Sequence, residues 1–378
     1  MQVRELAVDR VVLADSVLAG ATVRIADGRI VEVTADPAPA GGRAPGGTLL
    51  PGFVDLQVNG GGGRTTAEAT DDALAAVARA TQAGGAAAFL PTLITAPWPQ
   101  LLQQVAAVAS WCARRQQKPA ADEARPLGLH VEGPFLEVPG AHDQCAFVDP
   151  TDRRVDELLA AAAGQLRLVT LASSRDGAAA AVRRLRAAGV VVALGHVADP
   201  RGFADCVDAG ATLVTHLFNA MGPLHHREPG IAGRALDERR LACALIVDGA
   251  HVHPAMVRNA FAVLGPDRTV LVTDATAATG MPDGEFRLAA EAVRSTDGVV
   301  RDARGNLAGS ALTMARAATN FLAMEPRAGT WTLARLCAAN PARLLGLDDL
   351  GVLAPGRRAE FTRIDADGSV SVVRFGRD

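Results

Sequence analysis

A (β/α)8 barrel carrying a small β-sandwich domain assembled from both chain ends is the fold this sequence predicts, on three observations. Eight short apolar runs alternate with alanine-rich stretches of helical character. Both ends of the chain read as β-hairpins. A length of 378 residues with 49% hydrophobic content is enough to bury a barrel core with a small companion domain.

The elements follow in order. Apolar and polar residues alternate through Ala21-Thr22-Val23-Arg24-Ile25 and Arg29-Ile30-Val31-Glu32-Val33 about the turn Ala26-Asp27-Gly28, which is a hairpin pattern. The Pro/Gly/Ala stretch from Pro37 to Gly47 reads as a loop, and Pro51-Gly52 marks entry to the next unit. Barrel strands are predicted at Phe53–Val58, Ala86–Leu93, Leu127–Glu132, Leu166–Leu171, Val190–Leu194, Thr212–Thr215, Ala242–Val247 and Thr269–Thr273. Helices between them include Asp71–Gln82, Val155–Ala163 and Pro254–Leu264, the last with proline at its start. A second hairpin runs from Ala359 to Ile364, turns at Asp367-Gly368 and returns through Val370–Val373. Residues 1–52 and 347–378 are therefore assigned to the small β-domain and 53–346 to the barrel.

Composition narrows the function. A net charge of −3 provides no basic field for nucleic acid. The five cysteines, Cys112, Cys145, Cys206, Cys243 and Cys337, form no C-x-x-C pair and read as reduced core thiols. The start Met1-Gln2-Val3-Arg4-Glu5 lacks an apolar signal core, and no window reaches ~18 uninterrupted apolar residues. A cytoplasmic enzyme is the expectation, with neither membrane nor nucleic-acid partner. Lys118 is the only lysine.

The polar residues that end or follow the eight strands are Gln57, Thr92, Glu132, Ser173, His196, His216, Asp248 and Asp274. Barrel active sites form at that rim, because the strand ends converge there. Leu129-His130-Val131-Glu132-Gly133-Pro134 is the most informative run: a carboxylate at the mouth of a buried strand is costly unless a cation meets it. His196 and His216 also close apolar runs, and one carboxylate with two imidazoles makes a first-row metal site with room for a water.

Six blocks in chain order, from Pro51-Gly52-Phe53-Val54-Asp55-Leu56-Gln57-Val58-Asn59-Gly60 through His130–Phe135, Gly195-His196, Thr215–Met221, Asp248–His251 and Val272–Ala275, resemble the N-acetylglucosamine-6-phosphate deacetylases of the amidohydrolase superfamily. Leu307-Ala308-Gly309-Ser310 adds to the match, and Asn340–Arg343 resembles the family's closing helix. The resemblance implies hydrolysis of the acetamide of N-acetylglucosamine 6-phosphate to glucosamine 6-phosphate and acetate. Glu132, His196 and His216 match the family's metal ligands, with zinc the expected ion, and Asp274 matches its acid/base. Ala141 and His142 match a loop near the N-acetyl group. Asn219 and Ala220 match phosphate contacts, Asp248 and His251 a further substrate segment, and Leu307, Ala308 and Gly309 a sugar-contacting turn. Arg227 and His251 match residues that grip the phosphate from a neighbouring subunit, which implies a homodimer.

The chain also departs from the family. Gln57 and Asn59 stand where many amidohydrolases carry His-x-His, and an amide is a poor ligand beside imidazole, so Gln57 contributes at most weakly to a metal site. Lys118 lies in the polar run Arg114–Pro119, which reads as a solvated helix end, so no lysine bridges a second metal and one ion per subunit is expected. Ala308, Val197 and Glu360 replace a serine, a small hydroxyl residue and an aspartate common in the family. His225 and His226 fit no motif and, with His130 and His253, read as structural or solvent-facing. Two alternatives remain: a deacetylase of another N-acetylated amino sugar phosphate, such as the galactosamine epimer, and a non-catalytic scaffold that has no use for the metal and acid/base residues.

Overall fold

The computed structural model describes residues 3–35 and 47–375. The loop predicted from Pro37 to Gly47 therefore lies, Gly47 apart, outside the described residues. Eight parallel strands form the barrel: β1 (Phe53–Val58), β2 (Ala86–Ile94), β3 (Leu129–Glu132), β4 (Leu166–Leu171), β5 (Val191–Leu194), β6 (Leu213–Val214), β7 (Ala242–Leu245) and β8 (Thr269–Leu271). Each pairs with its sequence neighbour. Almost every strand residue is buried, which is why the strands appear in sequence as continuous apolar runs without alternation.

The seam between β1 and β8 closes differently. Val58 bridges Ala275, and the Asn59 and Gly60 amides donate to the Ala275 carbonyl at 2.7 and 3.1 Å. Below that bridge the Thr273 hydroxyl donates to Asp55 Oδ2 at 2.5 Å, while the Gln57 and Thr273 amides reach Asp55 Oδ1. Burial, more than these bonds can offset, pushes the Asp55 carboxyl up to about 7.

Helices cover the barrel where local signals start them. Thr70 caps Asp71–Ala83, Thr151 caps Asp152–Ala162, and proline occupies the first turn of Trp98–Gln117 and Pro254–Arg268. Lys118 sits just past the end of Trp98–Gln117, exposed as its polar run predicts.

Both chain ends enter one six-stranded mixed sheet built from Arg4–Val12, Val17–Ala26, Arg29–Ala35, Thr48–Pro51, Glu360–Ile364 and Val370–Arg374. Asp27 and Gly28 take φ of 51° and 71°, the double left-handed turn a tight hairpin requires. This sheet has its own core around Val11, Val23, Ile25, Ile30, Leu49 and Phe361. Glu360 joins the sheet to the barrel through Arg125 at 3.0 Å, an ion pair that is nearly buried.

One element was not expected. Gly284–Leu288, Glu291–Thr296 and Val299–Asp302 form a three-stranded antiparallel sheet between β8 and the Leu307 turn. Leu288, Val293 and Val300 pack with Ile94, Ala278 and Ala308, which sets this flap over the barrel mouth. Asp297 and Gly298, at φ of 53° and 74°, form the tight turn between its second and third strands.

Candidate active site

The barrel's carboxyl-terminal rim encloses a cavity of about 300 Å³. Glu132 is the last residue of β3, and His196, His216 and Asp274 each follow a strand by two or three residues. The last three have φ of 51°, 28° and 52°, so the chain turns sharply out of the barrel at each of them. Such backbone is costly for residues with a Cβ and persists only where the surrounding packing dictates it. All four are buried and line the cavity.

Three donor atoms converge. His216 Nε2 lies 3.1 Å from Glu132 Oε1, His196 Nε2 lies 3.3 Å from the same oxygen, and the two imidazole nitrogens are 3.1 Å apart. Ligand atoms sharing one ion through bonds of ~2.1 Å are separated by roughly 3.0–3.5 Å, so this donor set fits a single small divalent cation. His196 Nδ1 donates to the Val138 carbonyl at 2.8 Å, which places its proton there and leaves the Nε2 lone pair facing the cluster. Burial works against the Glu132 charge, yet the imidazoles of His142, His196 and His216 gathered around it outweigh that and hold the carboxyl well below its ordinary value.

Asp274 stands across this cluster. Its Oδ1 accepts from Gln57 Nε2 at 3.1 Å and from Asn59 Nδ2 at 2.7 Å, and Gln57 Nε2 also reaches Glu132 Oε1 at 3.0 Å. Gln57 therefore presents N–H to both carboxylates. Burial, with the Glu132 charge adding to it, raises the Asp274 carboxyl above its usual value.

His142 lies in the same cavity, with Nε2 3.6 Å from Glu132 Oε2. The Thr95 backbone N–H donates to His142 Nδ1 at 3.4 Å, and since a backbone amide only donates, the imidazole proton sits on Nε2. Burial and then the His196 charge bring this imidazole down to about 4, so it is neutral near pH 7. Ala141, Asn219, Ala220, Leu307 and Gly309 line the cavity as the sequence suggested. Gly309 has φ +60°, and a Cβ there would meet the Asp274 carbonyl at 2.9 Å, so that close approach requires glycine.

Three residues, His251, Asp248 and Ala308, stand elsewhere than the resemblance implied, and Arg227, expected at a neighbouring subunit's site, lies outside the cavity of its own chain. His251 lines the cavity of its own chain, held by Asp248 at 2.6 Å, and needs no second subunit to reach it. This corrects the expectation that it is supplied by a partner; the segment after β7 folds back over its own barrel. Asp248 itself lies behind His251, its Oδ1 accepting the Ala250 and His251 amides. Ala308 turns into the core of the flap instead of the cavity. Arg227 is on an exposed segment beside His225 and His226, away from this cavity.

The remaining histidines are structural or exposed as read. His130 is fully buried between the Thr92 and Thr170 hydroxyls at 3.3 and 2.9 Å, and burial brings it down to about 4. His253 caps the helix that starts at Pro254. Sequence reasoning missed Asn59 as a partner of Asp274 and the apolar walls Ile94, Phe218, Ile246 and Leu288. Only the His-x-His departure pointed to Asn59.

The signature of the Amidohydrolase family matches residues 48–374. An N-acetylgalactosamine-6-phosphate deacetylase from Escherichia coli O157:H7 is 36% identical over 349 residues, covering 91% of this chain and 90% of that protein. An N-acetylglucosamine-6-phosphate deacetylase from Homo sapiens is 37% identical over 336 residues, covering 85% of this chain and 80% of that protein. A solved mutant of the N-acetyl-D-glucosamine-6-phosphate deacetylase from Mycobacterium smegmatis, in complex with N-acetyl-D-glucosamine-6-phosphate, superposes with TM-score 0.92 at 38% identity over 99% of this chain and 98% of that one. Because the family signature spans most of the sequence and these relatives align along nearly their whole lengths, the chain belongs to the N-acetylglucosamine-6-phosphate deacetylase family of amidohydrolases.

Proposed function

We propose that this chain hydrolyses the acetamide of N-acetylglucosamine 6-phosphate to glucosamine 6-phosphate and acetate, with Glu132, His196 and His216 holding one divalent ion, zinc by preference, and Asp274 moving the proton. The convergence of three ligand atoms opposite a buried carboxyl in one cavity carries this reading. A bound ion there supplies a strong Lewis acid, lowering the pKa of water from ~15.7 to about 7. Asp274 takes the proton of the attacking water and returns it to the nitrogen of the departing amine. Burial, with the Glu132 charge adding to it, raises the Asp274 carboxyl, which makes it a stronger base toward that water than an ordinary carboxylate. His142 offers its Nε2–H to the acetamide carbonyl, and the flap turn Leu307–Gly309 closes the cavity over the sugar.

The direct test is acetate release from a panel of N-acetylated sugars, each with and without the 6-phosphate. Release from N-acetylglucosamine 6-phosphate well above the other members is expected. A preference for N-acetylgalactosamine 6-phosphate would assign the alternative that the Escherichia coli relative brings into view. No release from any member would leave the scaffold reading.

Arg227 supports an assembly reading. It is exposed and remote from its own cavity, yet its planar fork suits bidentate binding of a phosphate. In a two-fold homodimer each chain would lend Arg227 to its partner's substrate. Arg227→Ala should then raise KM for the phosphorylated sugar at least 10-fold, on the order of one lost charge-assisted contact, with a smaller effect on kcat. Mixing it with Asp274→Asn chains should partly restore activity, because the site on the Arg227→Ala chain keeps Asp274 and receives Arg227. Verified heterodimers without recovery would refute the shared site. Among the described residues no helix is long and apolar enough to cross a membrane, and all five cysteines are free thiols, which supports a cytoplasmic setting.

A further inference from the structure

We infer that Asn59, with Gln57, is a positioning residue for the reaction: the two amides grip Oδ1 of Asp274, so that Oδ2 is the oxygen that accepts and returns the proton. The inference rests on the function proposed above and adds to it a residue and an atom.

The main chain at Asn59 is pinned on both sides. Its N–H donates to the Ala275 carbonyl at 2.7 Å, and its carbonyl accepts from the Thr66 amide and hydroxyl, each at 2.9 Å. Ala275 is the residue after Asp274, so the amide and the carboxyl spring from two backbones bridged at the barrel seam. From that base Asn59 Nδ2 reaches Asp274 Oδ1 at 2.7 Å, the shorter of the two amide contacts. The Ser310 amide fixes the Asp274 carbonyl at 2.8 Å. Backbone and one carboxylate oxygen are thus both held, while Oδ2 receives no hydrogen bond among the described residues and Asp274 borders the cavity.

Two further observations favour a role through Asp274 over a role in the core. Asn59 lines the cavity beside Asp274, and its Oδ1 has no hydrogen-bond partner among the described residues, so its amide is not locked into a core network at both ends. Gln57 divides its Nε2 between Asp274 and Glu132, which leaves Asn59 as the donor committed to Asp274 alone. Two N–H groups on one oxygen fix the carboxyl torsion and concentrate negative charge on that oxygen. The other lone pairs are then directed at the water and the leaving nitrogen with no reorientation during the reaction, and small misplacements of such groups are costly in rate.

The test is a double-mutant cycle in the full-length metal-loaded enzyme, joining Asn59→Leu to Asp274→Asn. Asn59→Leu should lower kcat roughly 10- to 100-fold with KM within about 3-fold and metal content unchanged. In the Asp274→Asn background the same change should lower kcat by no more than about 2-fold, because a residue acting through Asp274 has little left to lose. Losses that multiply, a kcat kept within about 2-fold, or a rise in KM alone would each overturn the proposal. Asn59→Ala, which opens space instead of filling it, guards against a packing artefact; if neither variant folds, by melting temperature and circular dichroism, the residue is structural and the proposal falls. Ratios are taken on whichever N-acetylated sugar phosphate the wild type hydrolyses, so a wild-type protein inactive on N-acetylglucosamine 6-phosphate bears on the proposed function, and the cycle bears on Asn59.

Discussion

Asp274→Asn is expected to lower kcat by roughly 10²- to 10⁴-fold, the usual range for losing a general acid/base, while leaving metal content unchanged. The side chain keeps its shape, and its remaining oxygen still accepts from Gln57 and Asn59 at the distances that hold the carboxylate, 3.1 and 2.7 Å. The proton acceptor alone is removed. The three donors on the other side of the cavity stay in place, because Gln57 stands between Glu132 and Asp274. Steady-state kinetics beside elemental analysis settles the assignment: a variant with more than half of the wild-type kcat would mean that another group moves the proton.

Removing the ion should have a comparable or larger effect. Exhaustive chelation is expected to lower kcat at least 10³-fold, since neutral water with a pKa of ~15.7 is then the only nucleophile at hand. One equivalent of zinc per chain should restore activity. Glu132→Gln ought to reproduce the loss and bind zinc more weakly, because it trades an anionic ligand for a neutral amide while leaving the packing intact. Two tightly held ions per active chain would overturn the single-site reading, as would full activity in metal-free protein. The converging atoms give the reason to expect one ion: Glu132, His196 and His216 form a single cluster, and the first-strand positions carry amides that serve as donors to Asp274 and Glu132.

All eight barrel strands were legible in the sequence to within a few residues, for a local reason. A strand packed on both faces is a continuous apolar run, and Gly-Pro or a polar residue stops it where it leaves the core. Glu132, His196, His216 and Asp274 were legible on the same ground, since each breaks such a run at the end that a barrel turns toward its active site. The flap at Gly284–Asp302 was not, because its short strands bury only single positions such as Leu288, Val293 and Val300 and leave a weak pattern.

What the sequence determined by itself was the barrel, the β-domain shared by both ends, and the set of side chains at the rim, all of which depend on patterns a few residues long. The tertiary structure decided how those side chains meet. Asn59 contacts Asp274 across 215 residues of chain and Gln57 contacts it across 217, and both contacts exist only because β1 and β8 close the barrel beside each other. The same holds for His251, which the chain turns into its own cavity, and for Arg227, which it turns away. Spacing along a strand fixes which residues reach the rim. Closure of the barrel fixes which of them touch, because that depends on distances between strand ends that no local pattern encodes.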